Sequence, residues 1–247
     1  NYSGSCDSDN NTSAVGDDNN TVTFNALAEN TYNDCKISVT HNTVPSDNLS
    51  VNSFTIDTTA PSLSVVTPVP TRDNDSTPNY TFYSNEAGDI TYGGNCNSSD
   101  TSADADNNTI TFNALADATY SNCTITVRDN ASNTSSTLSV NSFTIDATAP
   151  SLSQVTAVPT PSSDNTSSYT FSSTEAGVIT YGGDCSSSDN STSGGNKSID
   201  FRKPNGAVLD EASYGTGTCT IRVTDGAGNQ SNRLDVSSFI IDTTAPT

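Results

Sequence analysis

The chain has 247 residues, with 8 basic against 28 acidic side chains, a formal net charge of −20, 31% hydrophobic residues and neither Met nor Trp. Such a charge repels a phosphate backbone and excludes nucleic acid as a partner, and no stretch approaches the roughly 18 apolar residues of a membrane-spanning helix. So little apolar content would suit a disordered polar segment, but Tyr80-Thr81-Phe82, Ile110-Thr111-Phe112 and Ile125-Thr126-Val127 alternate at period two, so the chain reads as all-β with a thin core. An acidic surface then has three readings: solubility, cation binding, or adaptation to salty water.

A repeat fixes the organisation. Ser53-Phe54-Thr55-Ile56-Asp57-Thr58-Thr59-Ala60-Pro61 recurs at Ser142 to Pro150 and at Ser238 to Pro246, and Tyr2, Tyr92 and Tyr181 each stand four residues before Cys6, Cys96 and Cys185. Three units follow, at 1–61, 62–150 and 151–247. In the second, strands are expected at Leu63 to Val69 (A), Tyr80 to Ser84 (B), Ile90 to Gly94 (C), Thr109 to Phe112, Thr119 to Arg128 (F) and Leu138 to Ile145 (G). About seven short strands per unit, separated by Gly, Pro, Asn and Asp, is the pattern of an immunoglobulin-like β-sandwich. The first unit opens at Tyr2, which aligns with the C-strand residues Tyr92 and Tyr181, so strands A and B are missing from it. The expectation is a window from a longer array, with neighbouring repeats of the same chain or fibre as partners.

Strand G carries a phase break, because Leu138 and Val140 share one parity while Phe143 and Ile145 have the other. A β-bulge near Asn141-Ser142, and likewise at Asn52-Ser53 and Ser237-Ser238, absorbs one residue and turns both pairs inward; the alternative is that the strand changes the sheet it faces.

Each unit holds two cysteines: Cys6 with Cys35, Cys96 with Cys123, and Cys185 with Cys219. With no C-x-x-C and His41 as the only histidine, pairing within each unit is expected, not a zinc site. One disulfide per unit stabilises each by roughly 3 to 4 kcal/mol and requires an oxidising, extracytoplasmic compartment. Tyr32 and Tyr120 stand three residues before their cysteines, one more than in the usual tyrosine corner.

The Asp-Thr-Thr-Ala-Pro junctions (Asp-Ala-Thr-Ala-Pro at Asp146) and the Asp225-Gly-Ala-Gly-Asn229 loop resemble the tandem bacterial Ig-like repeats of large surface adhesins and extracellular fibres. The resemblance implies a location at the bacterial cell surface and a structural role as a stalk or shaft segment. The alternative it leaves is a ligand-binding adhesin module for a glycan or cell-surface ligand. The loop departs from the pattern as His41 to Asp47 in the first unit and carries Ser132 in place of Gly in the second.

Enzyme chemistry has no foothold: there is no G-x-S-x-G, no H-E-x-x-H and no phosphate loop. Calcium is the sharper possibility. In an immunoglobulin-like topology the B–C turn and the F–G loop lie at the end that meets the preceding unit. That gathers Asp57, Glu86 and Asp129 at the first junction and Asp146, Glu175 and Asp225 at the second. Three carboxylates repel one another unless a cation joins them, and calcium takes six to eight oxygens, of which Asn133 or Asn229 adds one. The alternative is that each Asp begins a turn and caps loop amides. In the third unit, seven extra residues between the cysteines carry Arg202 and Lys203, with Lys197 close by. These three form a candidate binding edge on loops.

Overall fold

The computed structural model describes residues 1–8, 14–16 and 19–245; Pro246 and Thr247, the end of the third unit, lie outside them. Among the described residues every regular element is a strand, and no helix is long and apolar enough to cross a membrane. In the second unit Asn79–Ser84 pairs with Leu63–Thr67 on one side and Asn107–Thr111 on the other. Gly88–Gly93 pairs with Ser102–Ala103 and Thr124–Arg128, and the latter with Leu138–Ser139. A third small sheet joins Ala118–Tyr120, Phe143–Ile145 and, in parallel, Arg72–Asp73. The period-two pattern decides the facing: along Asn79–Ser84 the side chains of Tyr80, Phe82 and Ser84 are buried while Thr81 and Tyr83 face outward. Outward threonines meet across strands, Thr81 with Thr109 at 2.8 Å and Thr119 with Thr144 at 2.9 Å. That explains how strands so rich in Thr remain cohesive on their wet faces.

The third unit repeats this plan with two fusions. Ser168–Gly183 is a single strand of 16 residues that pairs with Ser191–Asp200 and then with Cys219–Thr224. Ser191–Asp200 also runs through the counterparts of Ser102–Ala103 and Asn107–Thr111. Each unit has its own apolar cluster, and each cluster contains one disulfide: Cys6–Cys35, Cys96–Cys123 and Cys185–Cys219. A ladder of stacked rings runs through the interior, Tyr80–Phe112–Phe143–Tyr120 in the second unit and Tyr169–Phe201–Phe239–Tyr214 in the third. Among the described residues the first unit stacks Phe24–Phe54–Tyr32, with Tyr2 meeting Phe24 edge-on. Its buried apolar residues are Cys6, Tyr32 and Cys35 alone among those described.

The phase break in the last strand is not a β-bulge. In the second unit Ala118–Tyr120 and Thr124–Arg128 are separate strands, although a single strand is expected there, and Leu138–Ser139 and Phe143–Ile145 are separate likewise. Tyr120 opposes Phe143, and Thr124 opposes Ser139 in the same register, so neither strand has gained a residue on the other. Both strands break together and pass from one sheet to the next. The same register persists in the first unit, where Tyr32 opposes Phe54 and Lys36 opposes Ser50. This also accounts for the tyrosine spacing, since Tyr120 lies before the break and Cys123 after it. The hydroxyls of Tyr32, Tyr120 and Tyr214 donate to the carbonyls four residues upstream, those of Ala28, Ala116 and Asp210, at 2.8, 3.0 and 3.3 Å. They form a corner in all three units.

In the loop that joins Thr124–Arg128 to Leu138–Ser139, Ser132 has φ +81°, where Gly228 of the third unit has φ +100°. A side chain in the left-handed region costs about 1 kcal/mol or more, which glycine avoids at some cost in unfolded-chain entropy. Ser132→Gly is therefore expected to stabilise the second unit by up to about 1 kcal/mol, and Gly228→Ala to destabilise the third by about the same. Urea melts of the two variants check this; destabilisation by Ser132→Gly would show that the hydroxyl, not the backbone, governs the position.

Candidate metal centres at the unit junctions

The junction carboxylates come together as the topology requires. One oxygen each from Asp57, Glu86 and Asp129 lie within 4.8 Å of one another, and so do those of Asp146, Glu175 and Asp225; all six residues are half-buried or buried. Asp57 and Asp146 directly follow the last strands of their units, Phe54–Ile56 and Phe143–Ile145. Glu86 lies in the turn after Asn79–Ser84, whereas Glu175 sits within a strand, where the pairing with Ser191–Asp200 slips between Ser173 and Ala176. Such an irregularity re-aims a side chain out of the alternating pattern. A buried serine fixes each glutamate backbone: Ser84 Oγ donates to the Glu86 carbonyl at 2.5 Å, and Ser173 Oγ to that of Glu175 at 2.7 Å.

Asp129 and Asp225 do cap loop amides. Asp225 Oδ1 accepts the backbone N–H groups of Ala227, Gly228 and Asn229 at 2.8 to 2.9 Å, and Asp129 Oδ1 accepts that of Asn133 at 2.8 Å. The loops are closed by Asp129 N to Asn133 O and Asp225 N to Asn229 O, both at 3.0 Å. The asparagines have a role that sequence reading missed. Asn133 Nδ2 donates to Asp129 Oδ2 at 2.9 Å and across the junction to the Asp57 carbonyl at 3.1 Å. Asn229 Nδ2 makes the equivalent bonds to Asp225 Oδ2 at 2.9 Å and the Asp146 carbonyl at 2.6 Å. Each asparagine thus clamps one unit to the chain of the unit before it.

The connectors are tied down on the other side as well. Glu29 accepts the Thr58 amide and the Thr58 and Thr59 hydroxyls at 2.6 to 2.8 Å, Asp117 accepts the Ala147 amide and the Thr148 hydroxyl, and Glu211 accepts the Thr243 and Thr244 hydroxyls. These hydrogen bonds, led by Thr59 at Glu29 and by Thr148 at Asp117, hold both carboxyls below the usual range. The signal was present in the sequence as an acidic residue three positions before each corner tyrosine. At the second junction, Gly226 lies against the Arg72 guanidinium of the second unit, where an added Cβ would come within 2.8 Å of Nη1.

The ionisation pattern separates the carboxylates. Burial opposes the charge on Asp225, but hydrogen bonds from the side chain and backbone of Asn229 and from the loop amides outweigh it and keep the group below the ordinary aspartate range; Asp129 behaves alike. Glu175 is pushed up, first by burial and then by Asp146, Asp225 and Asp117. A carboxyl raised in the fold favours the protonated state, so this contribution to stability is complete at low pH and is lost as pH rises through the raised pKa. A cation reverses the balance, because it binds the carboxylate. If the second junction holds calcium, its affinity is expected to fall as pH drops from neutrality through the raised pKa of Glu175, with Glu175→Gln removing that component. Calorimetric titrations of the unmodified chain and of Glu175→Gln over the same pH range check it, and identical pH profiles for the two would refute it.

Lys197 is on the strand Ser191–Asp200, not on a loop, and pairs with Asp189 at 3.0 Å; Lys203 pairs with Asp210 at 2.7 Å; Arg202 is held through its backbone to Ser186. His41 belongs to a small hairpin, Thr40–His41 with Val44–Pro45, whose turn residues Asn42 and Thr43 both have positive φ.

No protein-family model matches the chain, and no curated protein matches it. Among solved structures, the D0-D1 domain of Intimin is similar at 11% identity with a TM-score of 0.22, covering 67% of this chain and 93% of that one.

Proposed function

We propose that the chain is a structural stalk segment of a bacterial extracellular fibre or repeat adhesin, built from immunoglobulin-like units and stiffened by calcium at the junctions. The observation that carries this reading is the repetition of one junction: three carboxylates within 4.8 Å and an asparagine clamp at both boundaries. The connectors between the units are anchored at both ends, by Glu29 and Asp117 on the preceding unit and by the pairing of Ser62 with Asn85 and of Ser151 with Thr174 on the following one. A linker fixed at both ends leaves the units little slack, which suits a spacer. The three disulfides suit an oxidising location outside the cytoplasm. Asp57, Glu86 and Asp129, and Asp146, Glu175 and Asp225, would supply the oxygen donors that calcium requires. The reading is non-catalytic, and the pairing of Lys197 and Lys203 with carboxylates gives no support to a binding edge on the third unit. Small-angle scattering with and without calcium tests it: chelation that leaves the particle dimensions and melting unchanged removes calcium from the account.

A further inference from the structure

The second and third units hold their first strands differently. Leu63–Thr67 and Leu152–Thr156 are the outermost strands of their sheets, paired with Asn79–Ser84 and with the first part of Ser168–Gly183. Val65 opposes Phe82 as Gln154 opposes Phe171, so the two positions are equivalent. In the third unit Gln154 Oε1 accepts the Tyr169 hydroxyl at 3.2 Å, the Ser237 hydroxyl at 3.0 Å and the Ser237 amide at 3.3 Å. One carboxamide therefore ties the outer strand both to its neighbour and to the segment between Leu234–Asp235 and Phe239–Ile241. The Ser153 and Ser172 hydroxyls add a bond of 2.7 Å across the same pairing.

Val65 has no polar atom to offer. Tyr80, like Tyr169, is 0% exposed, yet among the described residues its hydroxyl is buried without a hydrogen-bond partner, and so is Asn141 Oδ1 at the position of Ser237. A hydroxyl buried unpaired has lost its hydration with nothing in return, and it regains water when the strand beside it lifts. Leu63 is only partly buried, whereas Leu152 is 7% exposed, so less apolar contact opposes such an opening in the second unit.

We infer that Leu63–Thr67 is a releasable strand, which detaches from its sheet while the rest of the second unit stays folded, and that Gln154 is the latch that denies the third unit this motion. Release ends at Val69, which is 1% exposed and whose carbonyl accepts Asn141 Nδ2 at 2.9 Å. Residues 62–68 then become slack between the connector and the core of the second unit, with a reach of at most about 25 Å at about 3.5 Å per residue. The bond of Ser62 N to Asn85 Oδ1 at 2.6 Å breaks with the strand. The first connector thereby loses its anchor on the following unit while the second keeps its own. Openings of this kind occur below the free energy of global unfolding, in segments with few buried contacts.

Amide hydrogen exchange of the full chain tests this, in chelator so that the outcome is independent of calcium at the junctions. The amides of Leu63–Thr67 are expected to exchange at least about tenfold faster, relative to their intrinsic rates, than those of Leu152–Thr156, and faster than those of Asn79–Ser84 beside them. Val65→Gln, which supplies the missing carboxamide, and Tyr80→Phe, which removes the unpaired hydroxyl, should each slow exchange in Leu63–Thr67 at least about threefold, and Gln154→Val should speed it in Leu152–Thr156 by about the same factor. Equal protection of the two outer strands overturns the proposal. So does faster exchange in Tyr80→Phe, the sign of a hydroxyl satisfied in the closed state, and so does a Gln154→Val chain whose outer strand is unchanged.

Discussion

Removing calcium is expected to lower the melting temperature of the chain by roughly 10 to 20 °C and to let the units bend at both junctions. A ligand at about a hundred times its dissociation constant stabilises the state that binds it by about 2.7 kcal/mol, and one kcal/mol moves a domain of this size by about 4 to 8 °C. If the sites bind in the range of about 10⁻⁴ to 10⁻³ M that extracellular modules show, reaching that excess takes about 10 to 100 mM calcium. Because each cluster takes Asp57 or Asp146 from one unit and two carboxylates from the next, a cation held there would stiffen as well as stabilise. Asp57→Ala or Glu86→Ala should reproduce the effect of chelation at the first junction and leave the second intact. Calorimetry and small-angle scattering read the two consequences separately, and a variant that loosened both junctions would contradict the assignment of separate sites.

Reduction of the disulfides is expected to unfold the first unit before the other two. Closing loops of 27 to 34 residues contributes roughly 3 to 4 kcal/mol per bond. In the second and third units that loss falls on clusters with fully buried aromatic ladders. In the first, Cys6 and Cys35 are two of the three buried apolar residues among those described, and Phe24, Leu27, Val51, Phe54 and Ile56 around them are only partly buried, so the bond carries a larger share of that unit's stability. Cys35→Ala with Cys6→Ala should therefore leave Tyr32 and Phe54 exchanging freely with solvent, while the equivalent pair of changes in the third unit lowers its melting temperature without unfolding it at 25 °C. Limited proteolysis under graded dithiothreitol orders the units, and simultaneous cleavage of all three would contradict the ranking.

Much of this was legible in the sequence because the repeat supplies its own alignment. The recurrence of tyrosine four residues before cysteine locates equivalent strands, and the topology then brings Glu86 and Asp129 to Asp57 without any coordinate. The β-bulge failed for a physical reason. A parity change in one strand states only that the pleat is interrupted; whether the partner gains a residue or breaks with it depends on the register between them. The matching interruption was present, in the spacing of three from Tyr120 to Cys123 beside the spacing of two from Cys123 to Ile125, but it lies in the other strand. The asparagine clamps escaped because an amide near two carboxylates has too many partners for sequence to choose among. The anchoring of the connectors by Glu29, Asp117 and Glu211 is equally a three-dimensional fact, since each carboxylate lies about thirty residues from the threonines it holds.

The parallel pairing near the end of each complete unit bears on how the chain carries load. Thr144 N bonds Thr71 O and Asp146 N bonds Asp73 O, both at 3.0 Å, while Asp242 N bonds Ser162 O at 2.9 Å in the third unit. Tension applied along the chain passes the first strand of the second unit, Leu63–Thr67, whose pairing is antiparallel, before it reaches Arg72–Asp73 and leaves through Phe143–Ile145. Two parallel strands drawn in opposite directions slide past each other, so their hydrogen bonds resist together instead of opening one at a time like a zip. If the chain serves as a tether, the patch where Arg72 and Asp73 grip the strand leading to the next connector is where it would resist pull.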